Sequence, residues 1–147
     1  MVRKAVTVGF ALVWLASTGC AVLGELGDPM GRLKSLEDSQ RRYTELVRWG
    51  QLERASEFVA PELRDEYLNT AEAFEGIRFT DFERVRLQID EANATATVVV
   101  VYHAYSMSTL LEKRVRENQE WYRDEETFNQ WRVRPQLRQI IAGVTGR

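Results

Sequence analysis

The chain has 147 residues, 44% hydrophobic and 29% charged, enough for one ordinary domain and too apolar for a disordered segment. Its net charge is −2, falling to −4 without Arg3 and Lys4, which excludes the basic surface expected of a nucleic-acid binder. A single cysteine excludes an intramolecular disulfide, and a single histidine excludes a histidine-rich metal site.

The chain opens with a short basic start, Met1–Lys4, and an uncharged run from Ala5 to Ala16. A helix needs about 20 apolar residues to cross a bilayer, so this run is too short to span one and suits the core of a secretory signal. Ser17, Thr18 and Gly19 then lead to Cys20. The whole segment resembles a bacterial lipoprotein signal with its lipobox, although Ser17 stands where that pattern usually has Leu, with Leu15 two places earlier. The resemblance implies cleavage before Cys20, a diacylglyceryl thioether on its thiol and acylation of the new amino group. Two or three acyl chains form a stable anchor where one would be marginal. Ala21, rather than Asp, follows the cysteine. By the same resemblance this points to the outer membrane of the bacterial envelope, facing the periplasm. Residues 1–19 are thus expected to be a signal peptide and 20–32 a lipidated cysteine with a flexible tether. The remaining 33–147 form a single domain. A tether of that length averages about 20 Å.

From Leu33 the apolar residues Leu36, Tyr43, Leu46 and Val47, with Gln40 among them, recur at helical steps, and Gly50 stops the helix. Leu52, Ala55, Phe58 and Val59 mark a second helix. Pro61 opens a third that runs through Leu63, Tyr67, Leu68, Ala71 and Phe74 to Gly76. The period then changes to two. Phe82–Asp90 alternates, with Val85, Leu87 and Ile89 expected on one face and Arg84, Arg86 and Gln88 on the other. After a turn at Glu91–Ala94, the β-branched run Thr95–Tyr105 predicts a central strand covered on both faces. Thr109–Tyr122 and Thr127–Arg134 predict two more strands, and no element is assigned beyond Arg134. The expected class is α+β: three N-terminal helices packed on a curved antiparallel sheet of about four strands.

This order resembles the NTF2-like superfamily, a cone of bent sheet around a long N-terminal helix. The resemblance rests on Gly50 followed by the Ala55–Phe58–Val59 helix, and on a closing hairpin carrying Trp121 and Trp131-Arg-Val133. A cystatin-like sheet with one helix is the alternative. The superfamily hosts enzymes, carriers and non-catalytic modules, so the resemblance alone does not choose an activity.

His103 is the most conspicuous candidate for chemistry, because some enzymes of the superfamily place a His or Asp inside the cone. Tyr43, Tyr102, Tyr105, Trp121 and Trp131 complete the candidate ligand lining. A general base also needs a partner that sets its tautomer and pKa, and none is legible beside His103. Glu62, Asp65, Glu66, Glu72 and Glu75 read as a solvated helix face, and Asp124–Glu126 as a solvated turn. Arg84, Arg86, Arg114 and Arg116, with Glu112, Glu117 and Glu120, form charged strand faces that a partner would meet. Phosphate-binding loops, nucleophile elbows and zinc motifs are missing, so no cofactor or metal is expected. The primary expectation is therefore a non-catalytic binding or scaffolding module of the envelope. It would be held to the membrane through Cys20 and meet another envelope protein or, weakly, a second copy. The alternative is a small-ligand carrier or enzyme using the interior around His103.

Overall fold

The computed structural model describes residues 31–124, 126–127 and 129–146. The expected signal peptide 1–19, Cys20 and the expected tether up to residue 30 lie outside the described residues, while Arg32, assigned to the tether, already belongs to the first helix. Helix α1, Arg32–Arg48, buries Leu36, Gln40, Tyr43, Thr44 and Val47 along one stripe. It ends in a Schellman turn: the Gly50 N–H donates to Val47 O and the Gln51 N–H to Leu46 O. That turn needs a left-handed residue after the cap, and Gly50 supplies it at φ 67°. The short helix α2, Leu52–Ala55, and a 3-10 turn at Ser56–Phe58 follow.

The expected third helix is broken into three pieces. Pro61–Leu63 forms a 3-10 turn, α3 covers Arg64–Asn69 and α4 covers Ala71–Phe74. Thr70 marks the break, its hydroxyl donating to Tyr67 O at 2.6 Å and its N–H to the same carbonyl at 3.1 Å. A short polar side chain that bonds the neighbouring backbone competes with continued helix in this way.

The strands form an open antiparallel meander in the order β1 (Ile77–Asp90), β2 (Thr95–Ser106), β3 (Glu112–Arg123) and β4 (Trp131–Arg134). The fold is α+β, as the pattern implied, but the helices do not all precede the sheet. After β4 a further helix, α5 (Leu137–Thr145), buries Leu137, Ile140 and Val144 against β3 and β2. Gly143 lets it approach closely: a Cβ there would stand 2.5 Å from Val115 Cγ1.

Strand β1 departs furthest from simple alternation. Its register with β2 shifts between Phe79 and Asp81 and again between Arg84 and Arg86, which leaves Thr80 and Val85 as bulged residues. Each extra residue flips the phase of the side chains after it. Phe79, Phe82, Leu87 and Ile89 consequently pack against the core, whereas Val85, expected inside, is 50% exposed.

The core lies between the sheet's inner face and helices α1 and α5. Trp121, Trp131, Tyr43 and Tyr102 are its largest fully buried side chains. The Trp131 indole N–H donates to Ser35 Oγ at 3.1 Å, tying the last strand to α1. Among the described residues, no helix is long and apolar enough to cross a membrane.

Candidate functional site

The two sheet faces sort the candidate residues. Ala96, Val98, Val100, Tyr102 and Ala104 of β2 point to the core, opposite Trp121, Gln119, Glu117, Val115 and Lys113 of β3. The other face carries Thr97, Val99, Val101, His103 and Tyr105, flanked by β1 and β3 residues of the same parity. Of the six candidate lining residues, Tyr43, Tyr102, Trp121 and Trp131 come together in the core, with Tyr43 set edge-on to Trp121 at 5.8 Å. His103 and Tyr105 are on the opposite face, away from them.

His103 Nδ1 lies 3.5 Å from Glu112 Oε1, and the imidazole is about a third exposed. The Thr80 hydroxyl donates to Glu112 Oε2 at 2.7 Å. Together the Thr80 hydrogen bond and His103 hold the Glu112 carboxyl below its ordinary range. The pair is open to solvent, with the Thr80 hydroxyl as its nearest polar neighbour.

Inside is a polar cluster that the pattern reading did not anticipate. Glu117 is completely buried. Its Oε2 accepts from Gln119 Nε2 at 2.8 Å and from the Tyr102 hydroxyl at 3.1 Å, and its Oε1 accepts from the Gln136 N–H at 3.2 Å. The Gln119 amide oxygen accepts in turn from the Trp121 indole at 3.2 Å. Gln119 Nε2 also donates to Thr44 Oγ1 at 3.4 Å, which extends the network onto α1, where Gln40 donates to the same oxygen at 2.9 Å. Burial pushes the Glu117 carboxyl up, against the lowering pull of those three donors. Burial likewise raises Tyr43 and Tyr102 well above the ordinary phenol range. The hydroxyls of Tyr43 and Tyr67 interact with each other and find no other hydrogen-bond partner among the described residues.

A signal for this cluster was present in the sequence. The apolar residues of β3, Val115 and Trp121, share one parity, and Glu117 and Gln119 stand between them on it. Reading Glu117 with Glu112 and Glu120 as charged surface followed residue type and overlooked that parity.

Of the four arginines assigned to the partner face, Arg86, Arg114 and Arg116 are exposed on the outer face. Arg84 is not with them. The bulge at Thr80 turns it toward the helices, where its guanidinium meets Glu37 Oε1 of α1 at 2.9 Å.

Hollows also open on the surface. A cleft of about 190 Å³ lies between α3 and α5, lined by Tyr67, Thr70, Gln136, Leu137 and others. A wider groove of about 920 Å³ opens beside Trp49, Leu52, Phe74 and Phe79. Phe79 stacks on Phe74 and meets Tyr102 edge-on at 5.2 Å, so aromatic rings stand between the groove and the Glu117 cluster. Among the described residues, no group of three or more His, Cys, Asp or Glu side chains is placed to hold a metal ion. No family model matches the chain, and no curated protein resembles it significantly.

Proposed function

We propose that this chain is a lipid-anchored envelope lipoprotein that acts by binding at its surface, as a non-catalytic scaffolding or docking module. The observation that carries this reading is the separation of His103 from the interior. The histidine stands on the outer face, while Tyr43, Tyr102, Trp121 and Trp131, each at most 1% exposed, fill the space where a substrate would have to sit. The Gly19-Cys20-Ala21 junction supports the anchor and the outer-membrane, periplasm-facing address. The long α1 laid on a twice-bulged sheet supports an NTF2-like ancestry for the mature domain.

The test is complementation of a deletion strain, scored together with lipid labelling. Cys20→Ser should abolish label and release the chain from washed membranes, and His103→Gln should preserve the phenotype. A labelled Cys20→Ser protein overturns the anchor. Loss of the phenotype in His103→Gln at normal protein level overturns the non-catalytic reading. A second reading, a small-ligand carrier, is favoured by one observation: a polar cluster around the completely buried Glu117, with the Tyr102 hydroxyl and the Gln119 amide bonded to it. A buried carboxylate ringed by donors is the kind of group that orients a polar ligand. If the carrier reading holds, Glu117→Gln abolishes function while His103→Gln does not.

A further inference from the structure

Exposed apolar side chains of the described residues gather at one end of the molecule. Met107, Leu110 and Leu111, which are 51%, 69% and 63% exposed, share the turn between β2 and β3. Single exposed apolar side chains are ordinary on a protein surface, whereas three within one short turn form a patch. The Met107 N–H donates to Gly76 O at 2.8 Å, which fastens the turn to the start of β1. Next to Gly76 lies the groove that Trp49 lines with Phe74, Ile77 and Phe79, so the equally exposed Trp49 belongs to the same end. Leu110 carries a backbone cost as well: its φ is 55°, a left-handed conformation that leucine rarely adopts. Asparagine or glycine there would relieve that cost and remove the exposed leucine together.

We propose that this turn inserts shallowly into a phospholipid bilayer, with Trp49 at the boundary between lipid and water. Its backbone is already prepared for an apolar medium. The four successive N–H groups from Met107 to Leu110 are bonded within the protein: to Gly76 O, to Ser106 Oγ at 3.3 Å, and to Ser106 O at 3.1 and 2.8 Å. Lipid offers backbone donors no partner, so a turn that has satisfied them beforehand loses little on entry. Glu112 and Lys113 follow at once and confine insertion to the turn itself. Trp49 suits the boundary, because its ring is apolar and its N–H polar, and the Arg48 guanidinium lies 5.2 Å over that ring.

The bilayer in question is the one that would hold Cys20, so the inference rests on the anchor proposed above. Helix α1 starts at the opposite end of the molecule, where Arg32 pairs with Glu91 of the β1–β2 turn at 3.3 Å, and it ends beside Trp49. Its 17 residues hold these two ends about 25 Å apart. Ala21 to Gly31 supplies at most about 36–40 Å of chain. That reach exceeds the length of the helix, so the domain can lie inclined on the membrane with both ends near it. Three apolar side chains are too few to hold a soluble protein on lipid, but the anchor raises the effective concentration of the bilayer at the turn.

The experiment uses the full chain, purified from the membranes of the expressing bacterium and reconstituted in vesicles of phosphatidylethanolamine and phosphatidylglycerol. Thr109→Cys carries an environment-sensitive fluorophore in the turn, Asn93→Cys carries it at the opposite end, and the parental chain reports any label on Cys20. Nitroxide groups on the lipid acyl chains quench only a fluorophore that touches the apolar layer. We expect at least a twofold loss of emission from the turn and none from the opposite end. Leu110→Asn combined with Leu111→Asp should lower the inserted population about tenfold or more, since burying one leucine shifts an equilibrium by about that factor. Leu110→Asn alone separates insertion from folding: with the backbone strain relieved, thermal stability should be equal or higher while quenching falls. Equal quenching at both ends, none in the turn, or quenching unchanged in the double variant would each overturn the proposal. So would a turn shielded from aqueous iodide in native membranes but not in the vesicles, which assigns it to a protein partner. Fatty-acid labelling of the same chains separates this failure from that of the anchor. A quenched turn in a chain without label on Cys20 removes the anchor and keeps the insertion; a labelled chain with an unquenched turn does the reverse.

Discussion

On β3, Glu112 stands in water beside Thr80 and His103, whereas Glu117, on the other face, is enclosed by Tyr102, Gln119 and the Gln136 amide. Their carboxyls move in opposite directions. Hydrogen bonding lowers the first, and burial raises the second. The contrast shows that side-chain parity outweighs charge in deciding what a strand residue does. The outer carboxylate belongs to a surface of alternating signs. The inner one organises a core, joining β3 to the start of α5 through the Gln136 N–H and to β2 through Tyr102.

The largest expected effect of breaking the inner face comes from its aromatic residues. Trp131→Ala removes a side chain 1% exposed together with its hydrogen bond to Ser35. Denaturant melts should show a loss of about 3–5 kcal/mol, the usual range for a buried Trp. A smaller loss, about 2–3 kcal/mol, is expected for Glu117→Ala, because the Tyr102 hydroxyl, the Gln119 amide and the Gln136 N–H lose their acceptor.

The same carboxyl makes a signed prediction in pH. Because the Glu117 pKa is raised on folding, the native state holds this proton more tightly than the unfolded chain. Its contribution to stability is therefore complete below the ordinary carboxyl pKa and is lost as pH rises through the native value. Glu117→Gln cannot titrate. The stability of wild type relative to this variant should fall from pH 4 toward pH 8 in parallel urea melts. A difference that stays flat or rises would show that Glu117 is ionised in the native core. For Glu112 the sign is opposite: its contribution is present above the ordinary pKa and is lost as pH falls through the lowered native value.

Gly143→Ala sharpens the comparison at the seam between α5 and β3. Helix propensity alone would stabilise the variant by about 1 kcal/mol. The 2.5 Å approach of the new Cβ to Val115 predicts instead a net loss of about 1–2 kcal/mol, since overpacking a buried β-branched side chain forces a shift. The smallest effect belongs to the outer face. Arg116→Ala should change unfolding stability by less than about 0.5 kcal/mol in denaturant melts, as is usual for surface substitutions.

Much of this architecture was legible in the linear pattern because its causes are local. The helical stripe Leu36–Tyr43–Val47, its stop at Gly50 and the β-branched run of β2 all follow from neighbouring residues, and each element formed where those residues put it. The C-terminal helix is also written there, in Leu137, Ile140, Ile141 and Val144 at helical spacing. The proposed leader, residues 1–19 ahead of Cys20, is likewise a matter of sequence alone, since its features are length, apolarity and the residues at one junction.

Other features were decided only by tertiary structure. The bulges at Thr80 and Val85 depend on the register with β2, and they sent Arg84 inward to Glu37 while leaving Val85 in solvent. No composition rule reports a register shift, because one inserted residue reverses every later face without altering the residues themselves. Glu117 became a core residue because Tyr102, Gln119 and Gln136 arrive from three separate parts of the chain to bond it. His103 was excluded from the interior for a related reason. A mid-strand residue has two faces available, and only the packing of α1 and α5 against one of them determined which would be inside.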